Sequence, residues 1–300
     1  MTDPLHTPLA VFPILGIGLL SFAFSPILIR YAASVPAASI AVWRTVFAVI
    51  LLAPFAARRV HEIRRMEWRE LRLVIFGGVM LALHFLAWIE SLYHTTVASA
   101  SVLVASSPIF LAVLGYVLLK ERLGRTTAVA IAVAVAGALL IGVGDAGQET
   151  ASNATLGNAL ALLAALLVSF YLLVGRVVRR EVSWLVYVFV LYGVAAGTIL
   201  VFALATGVPL LGLDARVYGL CALMAIGPQI AGHGSFNFAI KYLSAALLGL
   251  LSLTEPVGGS VLAYFLFGEA PSPLALVGMA VVLGGVAIAL RPAKRVRSST

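Results

Sequence analysis

Charged residues are scarce in this sequence, and their scarcity excludes an ordinary soluble domain. Asp, Glu, Lys and Arg make up 11% of the 300 residues, while 62% are hydrophobic and the mean hydropathy is +1.09. A soluble domain has about a quarter charged residues, which it needs to cover its water-facing surface. This chain therefore cannot cover such a surface, and most of its exterior must face lipid.

Cysteine is nearly absent, and so are the short motifs of common enzymes. The single cysteine, Cys221, cannot form an intrachain disulfide and is expected to be buried as a small apolar side chain. The patterns HExxH, GxxxxGK[ST] and CxxC do not occur. We therefore expect a protein that is not an enzyme and that uses no metal or cofactor.

Long apolar segments occupy most of the chain. Because a helix rises 1.5 Å per residue, about 20 apolar residues cross the ~30 Å hydrocarbon core of a bilayer. Turn residues and charge clusters delimit ten such segments, which predict an all-α polytopic membrane protein with ten transmembrane helices. They lie near 10–30, 37–57, 71–93, 97–118, 126–144, 156–176, 184–206, 217–240, 244–267 and 273–290.

Lys and Arg fall almost entirely on one side of the predicted membrane. Seventeen of the 20 lie in the carboxyl-terminal tail or in loops on the amino-terminal side. Only Arg30 and Arg216 lie on the other side, and Arg44 is inside the second segment. This asymmetry in short loops predicts that both termini are cytoplasmic. It also assigns the net charge of +8 to contact with anionic lipid, so no nucleic-acid partner is expected.

One stretch of the chain recurs 148 positions later. LVASSPIFLAVLGYVLLKE (103–121) and LSLTEPVGGSVLAYFLFGE (251–269) share seven identities without a gap. The offset covers five segments, and an odd number of crossings inverts the second copy relative to the first. The repeat therefore predicts two inverted five-helix units, residues 1–150 and 151–300.

Prolines occupy matched positions inside the two copies and predict interrupted helices. Pro108 aligns with Pro256, and Ser107 precedes the first of them. We take these three as candidate hinge residues, with nearby hydroxyls bonding the carbonyls that the kinks free. Interrupted helices are tolerated at the midplane only where they line protein or a water-filled cavity. The pattern is typical of a secondary transporter.

The closing part of each copy resembles a known family. LLSLTEPVGGSVLAYFLFGEAPSPLALVGMAVVLGGVAIAL (250–290) is similar to the end of an EamA-type repeat of the drug/metabolite transporter superfamily, and SSPIFLAVLGYVLLKERLGRTTAVAIAVAVAGALLIG (106–142) resembles the same part of the first repeat. The resemblance implies a ten-helix alternating-access carrier, usually an exporter of amino acids or other metabolites. It also implies a central cavity walled mainly by segments one, three, four, six, eight and nine. Ser107 departs from the pattern, because the second repeat has Glu255 there.

A polar stripe on the eighth segment is the clearest candidate for a substrate site. Gln229, His233 and Asn237 follow one another at intervals of four residues and so share a helix face. Polar groups at membrane depth are expected to serve function. The alternative interpretation is that they join helices by hydrogen bonds.

The third segment has a matching pair, His84 and Trp88, one turn apart. A shift of 149 residues aligns them with His233 and Asn237, which suggests two histidines facing each other across a pseudo-twofold axis. With Phe236, these residues would supply a ring-stacking surface and a few polar groups for an aromatic amino acid. Packing through hydrogen bonds is the alternative for the histidines.

Four acidic residues lie within or at the ends of apolar segments. Glu255 is expected either to bridge helices near the break at Pro256 or to bind a substrate ammonium group or a proton. Glu90 is expected to pair with Arg44 near the non-cytoplasmic surface. Glu121, like its counterpart Glu269, is expected to cap the next helix.

The sequence thus predicts a secondary carrier in the bacterial inner membrane. Its predicted substrates are amino acids and related small metabolites, with aromatic or bulky apolar ones favoured. The alternative is a multidrug or cationic-metabolite exporter that uses Glu255. Phosphorylated substrates are disfavoured, because only Arg44 comes near the midplane. The expected partners are a small-molecule substrate and the lipid bilayer, and the chain is expected to act as a monomer or homodimer.

Overall fold

A computed structural model describes residues 8–95, 97–144, 153–268 and 270–289, and all regular structure within them is helical. Glu269, one of the two predicted helix caps, lies outside these ranges. The α-helices are α1 (Val11–Ala23), α2 (Ser25–Tyr31), α3 (Ala37–Ala57), α4 (Val60–Arg64), α5 (Trp68–His94), α6 (Val97–Val104), α7 (Ser107–Leu119), α8 (Arg125–Gly144), α9 (Ala154–Val178), α10 (Trp184–Thr206), α11 (Ala215–Met224), α12 (Gly234–Ala239), α13 (Ala245–Ser252), α14 (Thr254–Phe267) and α15 (Pro273–Ala289). A π-helix, Ala225–His233, connects α11 to α12.

Seven of the described helical segments are long and apolar enough to cross a membrane. They are Val11–Tyr31, Ala37–Ala57, Trp68–His94, Ser99–Leu119, Ala154–Val178, Trp184–Thr206 and Ala245–Leu266. Two further apolar helices, α8 and α15, and the run from α11 through α12 lie in the other predicted segments. The fold is thus an all-helical membrane bundle.

Local sequence signals account for several helix ends. Asn153 begins α9 by accepting a hydrogen bond from the backbone N–H of Leu156, at 3.1 Å. Glu67 and Glu70 form a reciprocal capping box at the start of α5. Gly207 ends α10 with a positive φ of 68°, a conformation that glycine adopts without steric cost.

Helices of the first half of the chain pack mainly on helices of the second half. The closest partners are α8 with α15, α5 with α9, and α3 with α10. In the same way α1 packs on the π-helix and α12, and α7 packs on α13. These contacts enclose an apolar core that includes Cys221, whose side chain is fully buried as expected.

Apolar side chains also cover the outside of the bundle. Leu20, Val201 and Phe265 are 69%, 68% and 76% exposed. In water such a surface would be an aggregation hazard, whereas lipid tails solvate it well. The apolar exterior, together with the length of the apolar helices, fits a multi-pass membrane protein.

Candidate functional site

A cavity lies inside the bundle, where several helices are interrupted. Its empty space, including its open mouth, is about 590 Å³. Its lining residues come from both halves of the chain, and they are Phe22, Ser25, Arg44, His84, Phe85, Trp88, Val104, Ser107, Val168, Tyr171, Leu172, His233, Phe236, Ser252 and Glu255. Six of the sequence-predicted site and hinge residues are among them: His84, Trp88, Ser107, His233, Phe236 and Glu255.

The two histidines meet at the cavity wall. The ring centroids of His84 and His233 are 6.0 Å apart, with an interplanar angle of 73°. The carbonyl oxygen of Ala164 lies 2.9 Å from Nδ1 of His84, so this nitrogen carries the proton and donates. The two rings come from α5 and the π-helix, one from each half of the chain.

Aromatic rings surround His233 on several sides. The centroids of Phe22 and Phe85 lie 4.9 and 5.2 Å from its ring, and that of Tyr171 lies 5.9 Å away. All three are edge-to-face contacts, the arrangement that ring quadrupoles favour. The cavity can therefore receive an apolar or aromatic group against ring edges and faces.

The π-helix explains how His233 reaches the cavity. Pro228 lies inside it and has no N–H to donate to the preceding turn. A wider π turn accommodates this loss, and such turns occur often at functional sites. The four-residue spacing of the polar stripe predicts a regular α-helix here, and this prediction is wrong for Ala225–His233. Pro228 is the sequence signal for the irregular turn.

Helix breaks bring the hinge candidates to the same place. α6 ends at Val104 and α7 begins at Ser107, followed by Pro108. Hydroxyls next to the break bond nearby carbonyls, as expected: Ser106 Oγ donates to Leu103 O at 2.6 Å, and Ser169 Oγ lies 3.3 Å from Ser107 O. Carbonyl groups next to the break therefore have side-chain hydroxyls near them, although the helix is interrupted.

The second break holds Glu255. α13 ends at Ser252, and α14 begins at Thr254, just before Glu255 and Pro256. Ser252 Oγ donates to Gly249 O at 2.7 Å, and Thr254 Oγ1 donates to Leu251 O at 2.8 Å. The half-buried carboxylate of Glu255 thus lies at the first turn of a helix, where the positive end of the helix dipole favours it.

Gln229 and Asn237 are fully buried beside the cavity and bond to residues that line it. Gln229 Oε1 accepts from Arg44 Nε at 3.2 Å. Asn237 Oδ1 accepts from the hydroxyl of Tyr171 at 2.9 Å. The three residues of the polar stripe therefore differ in position. His233 lines the cavity, whereas Gln229 and Asn237 hold other lining residues in position.

Two predictions about charged residues are wrong: the ion pair of Arg44 with Glu90, and the capping of α8 by Glu121. Arg44 does not pair with Glu90, because the face of α3 that carries it turns into the bundle, where Arg44 is 1% exposed. Glu90 instead lies 3.0 Å from His94 Nε2, one turn further along α5. Glu121 does not cap α8, because it accepts from Arg176 Nε at 2.9 Å.

Three further residues, Arg44, Phe85 and Tyr171, line the cavity without having been predicted from the sequence. The guanidinium carbon of Arg44 lies 4.3 Å from the ring centroid of Phe85. Phe85 is next to the predicted His84, and Tyr171 lies in a segment predicted to wall the cavity. These residues lie among apolar neighbours, and a single sequence does not tell which ring faces a cavity and which faces a neighbouring helix.

Comparison with known proteins identifies the family. A model of the EamA-like transporter family matches residues 12–143 and again 155–291. The chain belongs to this family. Its members and the named relatives are transporters and not enzymes, and the protein is a multi-pass transporter of the bacterial inner membrane.

Two bacterial relatives have names that describe export. The "Probable terminal-alkyne amino-acid exporter" of Streptantibioticus cattleyicolor is 30% identical over 235 residues, covering 75% of this chain and 74% of its own length. The "Pseudopaline exporter CntI" of Pseudomonas aeruginosa is 26% identical over 266 residues, covering 87% and 89%. The compounds in these two names are the substrates of those relatives.

A solved crystal structure has the same fold. It superposes with a TM-score of 0.77 at 19% sequence identity and covers 94% of this chain and 96% of its own. At that level of identity the likeness concerns the fold alone. The EamA-like transporter studied here therefore shares its bundle architecture with an experimentally determined structure.

Proposed function

We propose that this EamA-like transporter is a secondary carrier that exports amino acids and related small metabolites, aromatic or bulky apolar ones in particular, by alternating access through the central cavity. The observation that carries the proposal is the composition of that cavity. Trp88 and Phe236 offer ring surfaces, while His84, His233 and Glu255 supply polar groups at the same space. An amino acid with a large apolar side chain needs both kinds of contact.

The substrate proposal has support from one relative. The bacterial relative named as a probable exporter of a terminal-alkyne amino acid is 30% identical to this chain. In our proposal His84, Trp88, His233, Phe236 and Glu255 contact the substrate directly. Gln229 and Asn237 complete the binding region through their bonds to Arg44 and Tyr171.

We further propose ten transmembrane helices in two inverted repeats, residues 1–150 and 151–300, with both termini in the cytoplasm. The two family matches have similar length, and each major helix contact joins one half to the other, as a twofold arrangement requires. Alternating access then follows as rocking of one repeat against the other. The breaks at Ser107, Pro108 and Pro256 would supply the hinges.

Cysteine labelling tests this topology. The native Cys221 is fully buried, so the unmodified chain gives a low background. An introduced cysteine at exposed Arg65 should react with a membrane-impermeant maleimide only after cells are opened. One at exposed Leu211 should react in intact spheroplasts. Labelling of the Arg65 site from outside would overturn the orientation.

Counterflow in liposomes tests the transport activity. The purified protein is reconstituted into liposomes that contain unlabelled phenylalanine, tryptophan, methionine or threonine. A trace of the same compound in labelled form is then added outside. We expect label to accumulate most for the aromatic and bulky apolar amino acids. Repeating the assay with a pH gradient tests whether protons are coupled. No accumulation with any amino acid would reject the proposal.

Matched variants connect the activity to the cavity. Trp88→Ala and His233→Ala should impair counterflow without lowering the amount of folded protein. Trp68→Ala, on the same helix as Trp88 but 66% exposed, and His61→Ala, at an exposed site, should not. Wild-type counterflow in both cavity variants would disprove the site.

A second candidate function is export of lipophilic cations, and the observation that favours it is the carboxylate of Glu255 at the cavity. Ethidium and tetraphenylphosphonium are suitable probes. This alternative predicts that both are transported and that Glu255→Gln abolishes their transport. The guanidinium of Arg44 in the same cavity opposes it, because like charges repel at short range.

The proposed functional unit is a monomer or homodimer with no nucleic-acid partner. Light scattering of the purified protein, corrected for bound detergent, measures the mass. A mass above that of two 31.5 kDa chains would contradict this proposal.

A further inference from the structure

Arg44 is an unusual residue in this bundle because its charge is buried and, within the described residues, forms no direct ion pair. Among those residues it is the largest side chain that is fully buried, at 1% exposure. Among the described residues no carboxylate forms an ion pair with it. A lone cation at membrane depth is costly, by several kcal/mol even after relaxation of its surroundings.

The bundle holds the guanidinium in one orientation. Nε donates to Gln229 Oε1 at 3.2 Å, and the hydroxyl of Tyr192 donates to the backbone carbonyl of Gln229 at 2.8 Å, which fixes that residue in turn. The guanidinium carbon lies over the ring of Phe85, at 4.3 Å from its centroid. The hydrogen bond to Gln229 and the contact with Phe85 leave the guanidinium little freedom to move.

One nitrogen of this fixed group has no partner. Nη1 of Arg44 is buried and forms no hydrogen bond within the described residues. Arg44 also lines the cavity, on whose wall Glu255 lies as well. A buried N–H without an acceptor costs roughly 1–3 kcal/mol, and more when it belongs to a charged group. An acceptor carried by a ligand would remove that cost.

We propose that Arg44 is the carboxylate-binding residue of the cavity, with its guanidinium Nη groups as the donors, and that the substrate is an α-amino acid whose ammonium group turns towards Glu255. The inference rests on the proposed function, because it assumes that the cavity is the transport site. A guanidinium matches a carboxylate in shape and charge. A phosphate fits less well, because a single fixed cation with a carboxylate on the same wall does not balance two negative charges.

Gln229 has a matching role as a positioning residue. Its amide oxygen holds Arg44 without neutralising it, so the positive charge remains available to a ligand. Gln229→Glu keeps the shape and supplies a permanent counter-ion. It should therefore keep or raise the melting temperature while weakening the binding of carboxylates. A purely structural Arg44 would gain stability in this variant without any change in ligand binding.

Three phenylalanine analogues test the proposal directly. Phenylalanine has both charged groups, 3-phenylpropionate has only the carboxylate, and phenylalaninamide has only the ammonium. Their binding to the purified protein is measured by the shift of the melting temperature over a concentration series. We expect the two carboxylates to bind the wild type, and Arg44→Gln to weaken both by about 10- to 100-fold while leaving phenylalaninamide unchanged.

Controls keep the test decisive if Arg44→Gln folds poorly. Arg44→Lys retains the charge without the planar fork and should lose part of the carboxylate affinity. Arg58→Gln, at the exposed end of the same helix, should bind all three compounds as the wild type does. Gln229→Glu provides the independent variant described above.

The outcomes separate this inference from the proposed function. Counterflow of phenylalanine with unchanged carboxylate binding in Arg44→Gln and Gln229→Glu would overturn the assignment of Arg44 and leave the exporter intact. Carboxylate binding that depends on Arg44, in a protein without counterflow, would support the site and reject the exporter. If none of the three compounds shifts the melting temperature of the wild type, the assignment of Arg44 is overturned.

Discussion

Arg176 donates from Nε to Oε1 of Glu121 over 2.9 Å, which joins the end of α9 to the loop after α7. Its Nη1 also donates to the carbonyls of Ile240 and Lys241, at 2.9 and 3.4 Å, just after α12. One side chain therefore connects three segments at the end of the bundle that carries most of the basic residues. An alternating-access carrier must separate such contacts each time that end opens.

Arg176→Ala should lower the thermal stability more than Glu121→Gln. The alanine variant loses every contact of this side chain, whereas the glutamine variant keeps an acceptor and all bonds to carbonyls. We expect a loss of about 1–2 kcal/mol for Arg176→Ala, because the network is partly exposed and screened. Melting of the purified protein measures the difference, with exposed Arg180→Ala as the control. Equal losses in all three variants would contradict the network.

Glu62 gives a pH-dependent contribution at the same end of the bundle. Ser183 Oγ donates to it at 2.5 Å and Arg59 Nη1 at 2.9 Å, and these contacts hold the pKa of the Glu62 carboxyl below its ordinary value of 4.5, the serine bond having the largest effect. A lowered pKa in the folded state stabilises the protein above the ordinary pKa. That stabilisation is lost as the pH falls through the folded-state value.

Glu62→Gln should therefore lower the melting temperature at pH 7 and have progressively less effect as the pH falls below about 4.5. The effect should be small, because the loop is solvated. Glu181→Gln, at an exposed carboxylate next to the same loop, is the matched control. A difference between Glu62→Gln and the wild type that grows on acidification would show the opposite sign and refute the linkage.

Much of the helical pattern could be predicted from the sequence because lipid imposes a length and because proline interrupts helices at fixed places. The breaks before Pro108 and Pro256 and the pairing of His84 with His233 follow from the internal repeat. Each of these features depends on local sequence or on the repeat. None requires knowledge of which helices become neighbours.

Arg44 could not be predicted as a cavity residue, because its position depends on which helices become neighbours. Its distance along the segment suggested the membrane surface, but burial depends on which face of α3 meets the π-helix. That contact is between residues 185 positions apart in the chain, such as Arg44 and Gln229. Tyr171 was missed in the same way, since its partner Asn237 lies 66 positions away.

The bond between Tyr171 and Asn237 predicts coupled effects on stability. Tyr171→Phe removes the hydroxyl that donates to the buried Oδ1 of Asn237, and Nδ2 of Asn237 has no hydrogen-bond partner within the described residues. We expect a cost of about 1–3 kcal/mol. Asn237→Leu combined with Tyr171→Phe should cost less than the sum of the two single changes, because the double variant buries no orphaned amide.

Melting of the three variants measures that coupling, and counterflow of each variant shows whether transport follows stability. A loss of transport beyond the loss of folded protein would support a substrate role for Asn237, whereas strictly additive melting shifts would contradict the coupling. Tyr242→Phe, a half-buried tyrosine near the end of the bundle, is the matched control for removal of a hydroxyl.

The contact between α8 and α15 predicts opposite effects at two adjacent glycines. A Cβ at Gly285 would lie 2.7 Å from Ala134 Cβ and 2.8 Å from its backbone nitrogen, whereas a Cβ at Gly284 would meet nothing within 4 Å. Helices that lack a hydrophobic driving force in lipid depend on such close approach of small residues. Overpacking by one methyl group costs about 1–3 kcal/mol when backbone must move.

Gly285→Ala should therefore lower the melting temperature, and Gly284→Ala should leave it unchanged or raise it. Alanine favours a helix over glycine by about 0.5–1 kcal/mol, and only Gly284 can gain this without a clash. Because the two substitutions are chemically identical and one residue apart, any general effect of alanine or of detergent cancels between them. Equal melting temperatures for the two variants would mean that α8 and α15 do not meet through Gly285.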